Sequence, residues 1–206
     1  MKHFVNNYVS QSMSKKTKYE QLIETARKLF WYHGIRKISI EEICRESNVS
    51  KMTFYKYFKN RNDLVKVILD ILFDEAMHRY NEIMESDIPF PEKVKQQIQL
   101  KLEGTTNLSE AFLMDIHQFA DKEIVDYFNE KRDITIQMVL KDYLNAQNQG
   151  YFRRDIKPEF ILFFFNHMYE LAENPKLLKL YNSPQSLILE LVNFFFYGIM
   201  PNHEGE

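Results

Sequence analysis

The chain has 206 residues, of which 45% are hydrophobic and 27% charged, a balance that is typical of one or two globular domains and argues against a disordered chain. Only 5 glycines and 6 prolines, beside 17 phenylalanines and 12 tyrosines, argue against collagen-like or many-turned β folds and favour helices around a large apolar core. The net charge of -2 conceals an asymmetry, because residues 1–62 carry 13 basic against 5 acidic side chains, whereas residues 63–206 carry 14 against 24. A small basic head on a larger acidic body suits a protein whose head binds a polyanion.

The first predicted helix begins after Thr17, where a T-x-x-E capping box satisfies backbone donors of the first turn, and it stops at Gly34. A second capping box at residues 39–42 opens a short helix that ends near Asn48, a residue type that tolerates a left-handed turn. Ser50 then caps a third, equally short helix. A long helix followed by two short ones predicts a helix-turn-helix head, whose last helix lies in a major groove.

The remaining chain is predicted to be wholly helical. A long helix over residues 60–85 links head to body and ends before Pro89 and Pro91, which forbid its continuation. Further helices are expected at roughly 92–102, 108–119, 122–149, 158–173 and 185–199, for a total of about nine. These elements predict three parts: a flexible N-terminal arm at 1–16, a helix-turn-helix DNA-binding domain at 17–62, and a helical domain at 63–206, which the family resemblance given below assigns to ligand binding and dimerisation.

The third predicted helix, which Ser50 caps, carries side chains that suit nucleic acid. Val49, Phe54 and Phe58 have the spacing of residues that pin the helix to its own core. The other positions offer cations and hydroxyls able to contact phosphate oxygens and base edges: Lys51, Thr53, Tyr55, Lys56 and Tyr57. Lys59 and Arg61 open the next helix, where free backbone N–H groups favour a phosphate. An ordinary lysine-rich helix surface is the alternative interpretation.

One combination of residues in this region is more specific evidence for DNA binding than the charge of the head is. It comprises the apolar face and Gly34 of the first helix, Ile38-Ser39-Ile40 leading into Ile43-Cys44, Asn48-Val49-Ser50-Lys51, and Thr53 to Arg61 followed by Asp63-Leu64. The stretch from Leu22 to Leu64 thereby closely resembles the N-terminal DNA-binding domain of the TetR family of transcriptional regulators. This resemblance implies an all-helical homodimer that acts as a ligand-responsive repressor.

The resemblance also implies which residues contact DNA. Base and phosphate contacts fall on Lys51, Met52, Thr53, Tyr55, Lys56 and Tyr57, and backbone anchoring falls on Ser39, Ser50, Lys59 and Arg61. Two positions depart from the family pattern, which often has glycine where Asn48 stands and a small residue or proline where Met52 stands. Methionine offers only apolar contact, for example with a thymine methyl, so the operator sequence cannot be inferred.

The last two long predicted helices are apolar over most of their circumference. A helix without a polar face is buried on both sides, so we expect these helices to form a four-helix bundle with a second copy, which is also where TetR-like proteins dimerise. The predicted interface residues are Phe160, Phe163, Phe164, His167, Phe194, Phe195 and Tyr197. A two-fold dimer predicts a near-palindromic operator. Burial of both helices inside one chain is the alternative.

By the same resemblance, an inducer chamber lies between the helices of residues 92–173. Its predicted lining residues are Phe112, Asp115, His117, Phe119, Phe128, Tyr143, Phe165 and Tyr169. Their aromatic content suggests an aromatic or lipophilic inducer, although core packing explains the same composition equally well. Ligand binding is expected to tilt the helix at 60–85 and so change the separation of the two heads.

An enzyme is not indicated by the sequence. It contains no H-E-x-x-H, G-x-S-x-G, phosphate-loop or C-x-x-C motif, and its six histidines lack metal-ligand spacing, so no metal or cofactor is predicted. The single cysteine, the absence of a signal peptide and the short apolar runs predict a cytoplasmic protein with no membrane association. Two alternatives stay open: a regulator or architectural protein of the same fold with no inducer, and an interaction module that has lost DNA binding.

Overall fold

The computed structural model describes residues 16–116 and 121–201, and all regular elements in these ranges are helices. The described helices are α1 (Lys18–His33), α2 (Ile40–Glu46), α3 (Lys51–Tyr57), α4 (Arg61–Glu85), α5 (Phe90–Gly104), α6 (Glu110–Met114), α7 (Lys122–Asn148), α8 (Pro158–Ala172), α9 (Pro175–Leu178) and α10 (Pro184–Ile199). The predicted all-α fold is confirmed. None of these helices is long and apolar enough to cross a membrane. Residues 1–15 of the predicted arm lie outside the described ranges.

The helix starts follow the capping residues that the sequence predicts. Thr17 forms both hydrogen bonds of its capping box, and Ser39, Ser50 and Asn60 each accept a hydrogen bond from the backbone N–H three residues ahead. Asn48 adopts the left-handed conformation, with φ 54°, between α2 and α3. The helix-turn-helix therefore forms from local signals.

Two helices of the body differ from the prediction. The helix expected at 108–119 ends as an α-helix at Met114 and continues as a π turn at residues 115–116. The short helix α9 forms where only a break was expected, because the side chain of Asn174 caps it and Pro175 occupies its first turn. Pro175, which was expected only to separate two helices, is thus the first residue of α9.

Head and body share one apolar core. Leu22, Phe30 and Phe54 of the head are at most 1% exposed, and they belong to the same buried cluster as Leu64 of α4 and Ile124 of α7. This cluster crosses the predicted domain boundary at residue 62. A second cluster fills the far end of the body between α5, α7, α8 and α10. Helices α4 and α7 contribute residues to both clusters and so connect the head to the far end of the body.

A polar contact fastens the turn between α1 and α2 to the body. The side chain of Asp115, 4% exposed, accepts hydrogen bonds from the backbone N–H of Arg36 at 2.8 Å and from its Nε at 2.6 Å. From the other side, the Arg61 guanidinium donates to the carbonyl oxygens of Ile35 and Ile38 at 3.3 and 3.2 Å. The turn is thereby held by α4 and by the residues that follow α6.

Gly34 makes this contact possible and generates a stability prediction. It has φ 84° and ψ 162°, a conformation open essentially only to glycine, and an added Cβ would lie 2.7 Å from Oδ2 of Asp115 and 3.0 Å from Cβ of Ala111. We expect Gly34→Ala to lower the free energy of unfolding by about 2 kcal/mol or more, measured by urea denaturation.

Gly104→Ala is the matched control, since Gly104 ends α5 and an added Cβ there meets no atom within 4 Å. It should leave stability unchanged or raise it by about 0.5–1 kcal/mol. Equal effects of the two substitutions would contradict a steric role for Gly34.

Candidate nucleic-acid interface and ligand cavity

Helix α3 exposes a polar face, while its opposite face is buried in the core of the head. Phe54 and Phe58 are 0% and 3% exposed and anchor the helix in the head core. The predicted reading residues on the opposite side are exposed, apart from the half-buried Thr53: Lys51, Met52, Tyr55, Lys56 and Tyr57. Rigid support of exposed hydrogen-bonding side chains is the arrangement that base-edge readout requires.

An aromatic contact that the sequence did not reveal orients the end of this helix. The ring of Tyr19, in the first turn of α1, lies edge-on to Tyr57 at 5.4 Å and stacks on Phe58 at 5.5 Å. These contacts fix the direction of Tyr57, whose side chain stays about half exposed. No sequence signal indicated Tyr19, because its partners lie in another helix.

The predicted backbone anchors occupy different environments. Ser39 and Ser50 are the N-caps of α2 and α3, where each Oγ accepts a backbone N–H at 3.1 Å. Lys59 is exposed, and its backbone N–H donates to Asp63 at 3.0 Å. Arg61 is half-buried and bonded to the turn before α2, so its guanidinium serves the structure of the head.

The cations of α3 differ in how they are neutralised. Lys51 pairs with Glu41 of α2, and this hydrogen bond lowers the pKa of the Glu41 carboxyl and raises that of the Lys51 amine. Lys56 is exposed and has no partner among the described residues. A DNA phosphate would have to compete with Glu41 for Lys51, whereas Lys56 is free to bind it.

A cavity of about 780 Å³, partly open to solvent, lies in the body and is lined by α4, α5, α7, α8 and α10, with further residues from α1 and α6. Four of the predicted pocket residues line it: Phe112, Phe128, Tyr143 and Phe165. Phe128 and Tyr143 are 15 residues apart on α7, so the cavity extends along about 22 Å of that helix at 1.5 Å per residue. The space is elongated and mostly apolar.

The other predicted pocket residues are not among the described residues that line the cavity. Asp115 is bound to Arg36 instead, because the backbone N–H of the α1–α2 turn needs an acceptor there, so its assignment to the pocket is corrected. His117 and Phe119 lie outside the described residues, as does the side chain of Tyr169. Sequence analysis missed Trp31 and Gln97, which also line the cavity. Neither was recognisable from the sequence, because their positions on their helices are equally typical of core or surface residues.

The end of the cavity beside α1 has a charged rim. Arg27 of α1 forms two hydrogen bonds to Glu75 of α4, at 2.9 and 2.7 Å, and Arg79 of α4 pairs with Glu103 of α5. These ion pairs join the head to α4 and α4 to α5. A ligand entering here would pass between charged side chains into an apolar interior.

The exposed faces of α8 and α10 are strongly aromatic. Phe160 and Phe163 are 60% and 59% exposed, and Phe194 and Tyr197 are 72% and 75% exposed. The remaining predicted interface residues differ: Phe164 is half-buried, His167 stacks on Phe163 with centroids 3.9 Å apart, and Phe195 is only 6% exposed. The assignment of Phe195 to a dimer surface is therefore corrected, because its ring packs inward against Tyr143 and Phe164.

A basic helix-turn-helix head whose reading helix is exposed, continuous with a hollow helical body, defines this chain as a DNA-binding protein of the regulator class. No cluster of histidine, cysteine and acidic side chains able to hold a metal occurs in the described ranges. Residues 22–68 match the family described as bacterial regulatory proteins, tetR family. This match covers the helix-turn-helix and the start of α4, and it confirms the resemblance seen in the sequence of the head.

Relatives and solved structures agree with this match. The chain is 30% identical over 138 residues to the fatty acid metabolism regulator protein of Bacillus subtilis, an alignment that spans 64% of each protein. The fatty acid degradation regulator FadR of Bacillus halodurans has the same fold, with a TM-score of 0.65, 17% identity and coverage of 90% and 97% of the two chains. Regulatory protein TetR of Rhodobacter sphaeroides superimposes with a TM-score of 0.72, 14% identity and coverage of 90% and 100%. These proteins are regulators rather than enzymes, the class that the sequence predicts.

The free amine of Lys56 generates a prediction for DNA binding. Lys56→Ala should weaken binding to all DNA sequences about equally, and should reduce the slope of log affinity against log salt concentration by about 0.9 per subunit, or about 1.8 for a bound dimer, because each copy loses one phosphate contact. Fluorescence anisotropy of labelled duplex over a salt series measures both quantities.

Lys141→Ala removes the same charge from an exposed position on α7 and should leave the slope unchanged. A slope that falls equally in both variants would indicate a general charge effect and would remove Lys56 from the interface.

Proposed function

We propose that the protein is a repressor that binds a near-palindromic DNA operator as a homodimer and is released when a lipophilic small molecule enters the body. One observation carries this proposal: an exposed, rigidly held reading helix and an elongated apolar cavity are connected through a single core. The cavity also favours a ligand-responsive regulator over a family member with no inducer.

The exposed aromatic surface supports dimerisation. Four large rings on α8 and α10 are more than half exposed, which is unfavourable in water unless a partner covers them. Pairing the two helices with the same helices of a second copy would bury these rings in a symmetric four-helix bundle. Two heads would then face successive major grooves, so each half of the operator would be read by one α3.

The shape of the cavity and one relative support a lipophilic ligand. An apolar space that extends along about 22 Å of α7 fits a molecule with a long apolar chain better than a compact polar metabolite. The relative from Bacillus subtilis is a regulator of fatty acid metabolism. We infer that the ligand of this chain carries an apolar chain as well.

The coupling between ligand and DNA would use the helices that touch both. Phe112 and Ile116 line the cavity, and Asp115 between them binds the turn before α2. Helix α4 lines the cavity with Leu72 and Phe73 and begins with Arg61, which holds the same turn. A ligand that displaces these residues would therefore change the orientation of the head. A difference of about 3 kcal/mol between the two arrangements would weaken operator binding on the order of 150-fold.

The function is tested by binding of the purified protein to the DNA upstream of its own gene, over a salt series. We expect site-selective binding that falls steeply with salt, disappears when Lys51, Tyr55 and Tyr57 are all changed to alanine, and weakens at least tenfold with dodecanoate or methyl dodecanoate. Undiminished binding by the triple variant would mean that α3 is not the reading helix. Equal affinity with and without ligand, while the ligand occupies the cavity, would favour the regulator with no inducer.

The dimer is tested with a double substitution, Phe194→Lys and Tyr197→Lys. Both side chains are more than 70% exposed, so the monomer fold should survive, whereas two buried lysines from each copy would oppose association. Sedimentation velocity should show a dimer for the parent and a monomer for the variant. Ile134→Lys is the control, because it adds one charge at an exposed apolar site on α7; if it dissociated the dimer equally, the interface would not be confined to α8 and α10.

A further inference from the structure

A buried polar pair lies on the wall of the otherwise apolar cavity. Gln97 of α5 and Tyr143 of α7 are 5% and 4% exposed, and the hydroxyl of Tyr143 donates to Oε1 of Gln97 at 2.8 Å. The amide nitrogen of Gln97 donates only to the sulfur of Met84 at 3.3 Å, among the described residues. A thioether is a weak acceptor, so this buried N–H group is poorly satisfied.

The surroundings of the pair determine which ligand group suits it. Phe165, Phe195 and Phe196 lie around Tyr143, with ring centroids 5.6 to 6.0 Å away. Burial, and after it the negative charge of Asp142, raises the pKa of Tyr143, so its hydroxyl stays protonated. A carboxylate at this place would lose its hydration, would face no buried cation among residues 16–116 and 121–201, and would be disfavoured by Asp142. A neutral oxygen acceptor carries no charge, so it avoids both the loss of ionic hydration and the repulsion by Asp142.

We propose that Gln97 recognises a neutral carbonyl oxygen, as in an ester, thioester, amide or ketone, on the apolar chain of the ligand, and that Tyr143 positions the Gln97 amide. This inference rests on the proposed function, because it presumes that the cavity takes a ligand. The hydrogen bond from Tyr143 to Oε1 fixes the amide so that its nitrogen faces an acceptor. The carbonyl oxygen then replaces the sulfur of Met84 as the partner of this N–H group.

Trp31 provides the measurement, since it is the only tryptophan of the chain and lines the cavity. Its fluorescence is titrated with three probes of matched chain length: methyl dodecanoate, dodecanoate, and dodecane delivered in cyclodextrin. The parent protein should bind the ester about fivefold more tightly than dodecane, the range expected of one neutral hydrogen bond, and more tightly than the carboxylate.

The variant that tests recognition is Gln97→Leu combined with Tyr143→Phe, which replaces both polar groups together and leaves neither one unpaired. It should bind the ester and dodecane equally while its affinity for dodecane is unchanged or higher. Thr135→Val is the control, because Thr135 also lines the cavity but its hydroxyl donates to Lys131 O of its own helix at 2.9 Å. This control should keep the fivefold preference of the parent.

Three results would overturn the inference: binding of dodecanoate more tightly than its ester, an ester preference that survives in the double variant, or failure of all three probes to bind. The titration does not involve DNA, so it can be compared with operator release in the same samples. Selective ester binding without release of DNA would refute the ligand-responsive regulator and leave Gln97 as the recognition group. If the ester and dodecane bound with equal affinity and both released the operator DNA, the role of Gln97 would be refuted and the ligand-responsive regulator would stand.

Discussion

The attachment of the head to the body depends on one buried carboxylate. Asp115 supplies the acceptor for the backbone of the turn between α1 and α2, and Gly34 leaves the space in which its carboxylate fits. Because Phe112 and Ile116 flank it on the cavity wall, the same short segment faces the ligand space and holds the head. The apolar core and the Arg27–Glu75 ion pair also join head and body, whereas Asp115 is the side chain of the body that holds the backbone of the turn before α2.

The aromatic residues of the body serve three purposes. Some, such as Phe152, are fully buried in the second core cluster; others, such as Phe128 and Phe165, form the wall of the cavity; and a third set on α8 and α10 faces outward. A chain of this size has too little interior to bury every ring and also keep a cavity. The rings on the outer face are the surface that the proposed dimer would cover.

The head could be predicted closely from the sequence because its signals are local. Thr17, Ser39 and Ser50 cap helices through bonds to residues three positions away, and the alternation of buried and exposed positions on α3 follows from helical spacing. The body was predicted less well. Most of its helices were placed correctly, apart from α6 and the unexpected α9. Asp115 was assigned to the pocket and Phe195 to the dimer surface, since an apolar helix does not reveal which of its faces meets which neighbour.

By itself, the sequence determined the helical fold, the helix-turn-helix, the polar face of α3 and the resemblance of the head to tetR-family regulators, all of which depend on residue types at short separations. Only the tertiary structure decided that Asp115 binds Arg36, that Gln97 and Tyr143 meet on a cavity wall, and that Arg61 supports the turn of the head. These pairs are separated by 23 to 79 positions in the chain. Contacts over such distances are set by how the helices pack together, a property that no local pattern of side chains encodes.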